Sequence, residues 1–560
     1  MRQGKQGGIT RRTFLEQVGR VGGAAALYET MTAMGLVNKP EAWAGPPKIP
    51  QKASRQSSVV ILGAGIGGLT AAYELSRAGY VVRVLEAQDR YGGRSHTVRR
   101  GDTVIEETPQ FGRTQQTCQF DEGLYLNMGP GRLPYHHRRV LHYCQELNVA
   151  LEPYIMNTTA NLFQTDQAFA GGAQVYRQVD YDTRGYIAEM LAKAVNRRAL
   201  DDMLNEEDKA NLLSLLKTFG NLGQPSNACN DLTYCGSNRT GCRFPLTVFN
   251  QEDCLGEPPL PLQSLLRSEF WLNSFYQPDD FPWQPTLFQP VGGMDKIVEG
   301  FVEQVGDLVT LSAPVTRIDI HDNHVNVYYR LNGSEMMTTA DHCISNIPIP
   351  VLQHMNVNFT QEYRAAVNQG RFADTCKVGW QANTRFWEND TNQIYGGISW
   401  INHNMTQMWY PSNDYFTAKG TLTGTYNFSN RARTLAAQSL AERLQTARSG
   451  AVNLHPEFRD FGIVPEELGL SIAWKQVPYQ RGGWAEWQPD STADRDAYAR
   501  LLAPDRRFFM VGDQVSSLPG WQEGAMMSAQ HVVEQIAGVR PKTVPVVGSA
   551  PNSRALTQGS

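Results

Sequence analysis

The pattern of apolar and polar positions changes character along the chain. Residues 57–87, SSVVILGAGIGGLTAAYELSRAGYVVRVLEA, open on an apolar, β-branched run from Val59 to Leu62. A glycine turn and a helical pattern follow, and a second apolar strand ends at Glu86. The spacing predicts strand, turn, helix and strand. Farther on, apolar residues recur with helical periodicity over 183–219, and strand-like runs occupy 375–428. No apolar run approaches the length that spans a bilayer.

The glycines in the first unit define its chemistry. Gly63, Gly65 and Gly68 form a G-x-G-x-x-G turn between a strand and a helix, the context that makes this motif specific. Gly63 permits the tight turn, Gly65 lets the backbone approach a pyrophosphate, and Gly68 lets helix and strand pack closely. The helix N-terminus, with Ile66 and Gly67 in its first turn, favours negative charge. Glu86 follows Gly65 by 21 residues, where a carboxylate would accept ribose hydroxyls, with Ala87 beside it.

Composition narrows the picture. At 560 residues the chain can hold two or three domains, and 51 basic against 55 acidic residues give nothing that attracts nucleic acid. None of the 8 cysteines forms a C-x-x-C pair, so zinc is not expected and no metal site is assigned. One or two disulfides, or plain thiols, both fit. TRRTFLEQ (10–17) sets Arg11 and Arg12 ahead of Phe14 and Leu15, and AWAG (42–45) offers small residues for cleavage after Ala44. The segment resembles a twin-arginine export signal, which implies export machinery as a partner and a periplasmic or secreted destination. A basic N-terminal helix is the alternative.

LNMGPGRLP (126–134) raises a different question. Gly129, Pro130, Gly131 and Pro134 frame a tight turn that presents Arg132. A guanidinium there is costly to bury without an anion.

DRYGGRSHT (89–97) resembles the second dinucleotide signature of the flavin amine oxidases, in which Gly93 and Arg94 would hold the diphosphate and flavin side of FAD. FQPVGGMDKIVEGF (288–301), PVTRIDIHDNHVNVYY (314–329), ADHCISNIPIPVL (340–352) and RFFMVGDQVSSLPGWQEGAMMSAQHVVEQI (507–536) match further flavin-domain segments. With YLNMGPGRLPYHHR (125–138), the chain resembles the L-amino acid oxidases within that family. The resemblance implies an α/β and α+β fold. A Rossmann-like FAD domain is built from 55–135, 286–350 and 471–540, with a helical or substrate lobe at 136–285 and a substrate domain at 351–470. Residues 1–44 would be the signal and 541–560 a tail.

The resemblance also implies roles. Arg132 clamps the substrate carboxylate by a bidentate fork, and Tyr410 shares that carboxylate unless it is simply a core strand aromatic. Trp484 and Trp521 wall the substrate, the Gly520 carbonyl accepts from its amine, and Lys377 holds a water near flavin N5. Met128, Gly129, Pro130, Gly131, Arg132, Val315, Trp474, Gly512, Asp513, Gly520, Trp521 and Ala525 line the cofactor. Gly483 stands where monoamine oxidases carry the flavin-attaching cysteine, so FAD should be non-covalent. The implied reaction is oxidative deamination of L-amino acids, with Cα–H passing as hydride to N5 and dioxygen becoming hydrogen peroxide, in a homo-oligomer (a dimer). An amide-forming monooxygenase, an amine or polyamine oxidase and a non-catalytic flavin scaffold are the alternatives.

Overall fold

The computed structural model describes residues 43, 45–50, 57–197, 203–223, 229–243, 254 and 256–539, so residues 10–17, read above as resembling an export signal, and Ala44 lie outside the described residues. The first apolar run forms the strand Ser58–Leu62, central in a five-stranded sheet. It pairs in parallel with Val81–Leu85 on one side and His342–Ser345 on the other; Val309–Thr310 and Phe508–Met510 form the edges. Being covered on both faces makes the strand continuously apolar rather than alternating. Val59 and Ile61 pack into a core with the helices Ile66–Arg77, Lys296–Val305 and Gln522–Ala537. Val60 and Leu62 face the opposite way, onto the antiparallel strands Val315–Ile320 and Val325–Leu331. Segments far apart in sequence thus build one doubly covered nucleotide-type domain.

A seven-stranded sheet forms the second body, in the order Gln174–Val175, Leu162–Gln164, Ile398–Ile401, Gln407–Trp409, Gly420–Phe428, Thr375–Ala382, Gly469–Ala473. Alternation along Thr375–Ala382 decides its two faces. Val378, Trp380 and Ala382 join a core with Leu444, Ala447 and Ala451 of the helix Leu440–Leu454. Thr375 and Lys377 face the other way, toward the nucleotide domain, and Lys377 is paired in register with Tyr426. The helices Tyr176–Asn196 and Glu206–Gly220 pack together in the lobe, near disulfides Cys229–Cys235 and Cys242–Cys254. Cys118, Cys144, Cys343 and Cys376 are buried free thiols.

The structure draws the domain boundaries differently from the sequence reading. The helix Arg138–Glu146, assigned above to the lobe, buries Val140, Tyr143 and Cys144 in the nucleotide-domain core. The helix Gln361–Gln369, assigned to the substrate domain, packs Tyr363 and Val367 beside Phe508 on the parallel sheet. Gly469–Ala473 straddles the boundary set at 470 but belongs wholly to the seven-stranded sheet. In each case long-range packing, which local periodicity does not report, assigns the element.

Candidate active site

A long cleft opens at the carboxyl ends of the parallel strands. Its floor is the glycine turn. Gly63 has a φ of +99°, a conformation L side chains rarely adopt, and a Cβ on Gly68 would collide with the Gly63 carbonyl oxygen. These are the turn and close-packing roles expected of them. The helix Ile66–Arg77 begins without a side-chain cap at Gly65, and Gln522–Ala537 begins likewise at Trp521. Both uncapped N-termini border the cleft, where N–H groups and helix dipoles favour a phosphate-sized anion.

Glu86 lines the far end of the cleft. Its oxygens accept the N–H groups of Ala64 (2.7 Å) and Gln88 (2.9 Å), which hold the carboxylate in place while burial pushes its pKa up. Arg94 lines the cleft but is already committed: its guanidinium pairs with Asp513 and donates to the Gly483 carbonyl. Asp513 also accepts from the Gly520 N–H at 2.8 Å. Arg94 therefore acts with Asp513 as a brace of the cleft wall. A carboxylate, two uncapped helix ends and apolar walls in one groove fit a dinucleotide with a ring system.

Ile66, Gly67, Ala87 and Gly93 line this cleft, as do Gly129, Pro130, Val315 and Trp474. Gly520, Trp521 and Ala525 do too, and Trp484 completes the wall with Trp521. Met128 and Gly512 stand behind it. The Met128 carbonyl accepts from Trp474 Nε1 at 3.0 Å, and Gly512 lies against Gly67, where a Cβ on Gly67 would sit 3.2 Å from the Gly512 nitrogen. A Cβ on Gly483 would meet the Thr375 side chain at 2.7 Å, so a cysteine there has no room without displacement. Acid precipitation is expected to release all yellow colour into the supernatant; colour retained by the pellet would overturn non-covalent binding.

Arg132 and Gly131 lie one step beyond the cleft. Arg132 is 7% exposed, and its Nε and Nη1 are buried without a hydrogen-bond partner among the described residues. Aromatic rings enclose it: its Cζ is 4.3 Å from the Trp283 ring centre, 4.8 Å from Trp409 and 5.6 Å from Tyr154. Rings attract a cation but leave its in-plane donors open. The Tyr154 hydroxyl is likewise buried and unpartnered. A desolvated guanidinium with open donors beside a hydroxyl is chemically suited to a carboxylate.

The placement of Tyr410 is corrected. Its hydroxyl bonds to Ser399 (2.8 Å) and to His455 Nε2 (2.6 Å), within the core that contains Trp387. Adjacent strand residues face opposite ways, and it is Trp409 that meets Arg132. The tyrosine hydroxyl near Arg132 belongs to Tyr154.

Lys377 is 1% exposed, and its ammonium donates to the carbonyls of Asn127 (3.0 Å) and Gly129, which belong to the loop that carries Arg132. It also lies 4.5 Å from the Tyr426 ring centre and 4.9 Å from that of Trp409. Burial, with the charge of Arg132 nearby, pushes its pKa down to about 7. A lysine with a lowered native pKa costs stability in full below pH 7, and the cost fades as pH rises toward the unfolded value of about 10.4. Lys377→Met should therefore raise the thermal midpoint relative to the parent more at pH 6 than at pH 9. A difference between the two proteins that does not vary with pH would show that Lys377 does not titrate in this window.

Other residues of the site were not anticipated. Asn346 fills the gap between Gly65, Gly67 and Gly512. It directly follows the strand His342–Ser345, and a polar residue at the carboxyl end of a parallel strand is a usable signal. Tyr154, Trp283 and Trp409 carry no comparable local signal. No group of three or more metal-ligating side chains occurs among the described residues.

Comparisons with known proteins bear on the family and the fold. The family model described as flavin containing amine oxidoreductase matches residues 66–537. The flavin-dependent L-tryptophan oxidase RebO of Lentzea aerocolonigenes is 25% identical over 500 residues, covering 85% of this chain and 97% of that protein. The putative L-amino-acid oxidase YobN of Bacillus subtilis (strain 168) is 23% identical over 492 residues, covering 85% and 94%. Among solved structures, putrescine oxidase bound to putrescine superposes with a TM-score of 0.57 at 16% identity, over 86% of this chain and 99% of that one. This last likeness concerns the fold.

Proposed function

Because the chain belongs to the flavin containing amine oxidoreductase family and binds FAD as that family does, we propose that it is an L-amino acid oxidase. The observation that carries the reading is Arg132, buried among three aromatic rings with open donors. An amine has nothing to offer that cation, whereas an α-carboxylate matches its fork. The relatives whose names specify L-tryptophan or L-amino acids support the same reading.

FAD supplies the two-electron oxidation of the substrate carbon and returns the electrons to dioxygen. The chain's own residues position and desolvate. Arg132 and Tyr154 hold the carboxylate, while Trp484 and Trp521 confine the α-carbon between them and exclude water. The Gly520 carbonyl is a candidate acceptor for the amine. Lys377 fixes the Asn127–Gly129 carbonyls and so the approach of Arg132. Oxidation leaves an imino acid; water adds to its C=N carbon and ammonia departs, so the products are a 2-oxo acid, ammonia and hydrogen peroxide.

Export by the twin-arginine route belongs to the same proposal. Two disulfides suit an oxidising compartment.

The test is an oxygen-uptake screen over the L-amino acids, their D-enantiomers and the corresponding amines, with peroxide and 2-oxo acid measured together. Equimolar peroxide and 2-oxo acid from L-amino acids alone support the proposal. An amide product, or turnover of amines in preference to amino acids, overturns it.

A further inference from the structure

We infer that Trp283 is a specificity-determining residue, and that the band of aromatic rings it belongs to selects L-amino acids with an aromatic side chain. The inference rests on the proposed amino acid oxidase activity and adds to it the substrate's side chain.

Trp283 ends the short turn Phe281–Trp283 of the lobe. It is the ring that joins the carboxylate clamp to the cage. Its centre is 4.3 Å from the Arg132 Cζ and 5.0 Å from the Trp521 ring centre. A band of rings continues outward from Trp521. His137 meets Trp521 edge-on at 4.7 Å, His136 meets His137 at 4.8 Å, and His136 stacks on Phe281 at 4.5 Å and 22°. Phe281 is 57% exposed, so the band runs from buried Arg132 to solvent.

The band offers no charge to a substrate side chain. His137 is 1% exposed, burial pushes its pKa down to about 3, and its Nδ1 lacks a hydrogen-bond partner among the described residues. Burial lowers His136 as well, so both imidazoles are neutral at physiological pH. Glu523, whose charge reaches His136, is committed elsewhere: it accepts from Arg139 at 3.0 Å and from the Val140 N–H at 2.9 Å. A carboxylate or ammonium side chain would lose its water here without gaining a partner. A planar ring can instead stack or meet the band edge-on.

A ring that only supported the fold would affect all substrates alike when removed. A specificity wall predicts a selective loss, so the test compares substrates within one variant. Parent, Trp283→Ala and Trp283→Phe are mixed anaerobically with L-tryptophan, L-phenylalanine, L-alanine, L-glutamate and L-lysine, and bleaching of the flavin absorbance is followed. The parent should favour the two aromatic substrates over L-alanine by at least about tenfold, and charged ones should be slowest. Trp283→Ala should lower kcat/KM for the aromatic substrates by about 10- to 100-fold, mostly through KM, and for L-alanine by much less. Trp283→Phe should restore most of the preference. An unchanged ratio of aromatic to L-alanine rates in Trp283→Ala, or a parent that prefers L-glutamate or L-lysine, overturns the inference while leaving the oxidase reading intact. A parent whose flavin bleaches with no L-amino acid overturns the oxidase reading itself.

Discussion

Arg132→Met is expected to leave the protein yellow and to lower kcat/KM for every L-amino acid by about two to four orders of magnitude. Removing one partner of a desolvated charge pair costs roughly 3–5 kcal/mol, and about 1.4 kcal/mol corresponds to tenfold in rate. The loss should not depend on the side chain, because the missing contact is to the group that all these substrates share. FAD should stay bound, since Arg132 stands behind the cleft and Glu86, Asn346 and the two helix N-termini form its walls. Arg132→Lys should recover only part, because an ammonium keeps the charge without the planar fork. Binding of an unreactive carboxylate such as benzoate should raise the thermal midpoint of the parent and not of Arg132→Met. Loss of FAD from Arg132→Met would assign the arginine to the cofactor instead.

Two glycines of the same loop should separate cofactor binding from substrate binding. A Cβ on Gly129 would fall inside the Arg94 carbonyl oxygen, a backbone atom that also accepts from the His96 N–H at 2.9 Å. Nothing flexible can yield there, so the loop must move off the Arg94 segment and open the cleft. Overpacking of this kind costs about 1–3 kcal/mol or more. Gly129→Ala should accordingly weaken FAD at least about tenfold and abolish most activity. A Cβ on Gly131 meets instead a side chain, Trp409 Cζ3 at 2.7 Å. Trp409 is buried, with Nε1 bonded to Gln407 at 2.7 Å, so it can shift only by disturbing the ring that faces Arg132. Gly131→Ala should keep its flavin spectrum and lose about 10- to 100-fold in kcat/KM, consistent with roughly 1–3 kcal/mol of misplacement. Equal FAD affinity in the two variants and the parent would contradict this division of the loop.

Much of the cofactor domain was legible because its signals are local. The run Val59–Leu62, the turn at Gly63 and the close approach at Gly68 are each demanded by backbone geometry within a few residues. The Gly-Pro-Gly frame around Arg132 is local as well, and so is its unsatisfied charge. The enclosure of that charge is not. Leu287 pairs with both Pro134 and Tyr154, and this small sheet draws together three segments that are distant in the chain. Tyr154 and Trp283 reach Arg132 only through it. Trp409 and Tyr410 show a subtler limit. Two neighbouring aromatics on a strand point to opposite faces, and pairing Trp409 with Thr423 decides which one faces the site. The family resemblance brought the reading to the right strand and one residue too far along it.

The central claim is that Arg132 waits for a carboxylate. The most direct measurement is anaerobic bleaching of the flavin by L-phenylalanine and by phenethylamine, the same molecule without its carboxylate, in the parent and in Arg132→Met. The parent should bleach with L-phenylalanine at least about a hundredfold faster than with the amine, from the roughly 3–5 kcal/mol of the charge pair, and the substitution should bring the two rates together by slowing the amino acid alone. A parent that bleaches as fast with phenethylamine, or a variant that still prefers L-phenylalanine, would contradict it.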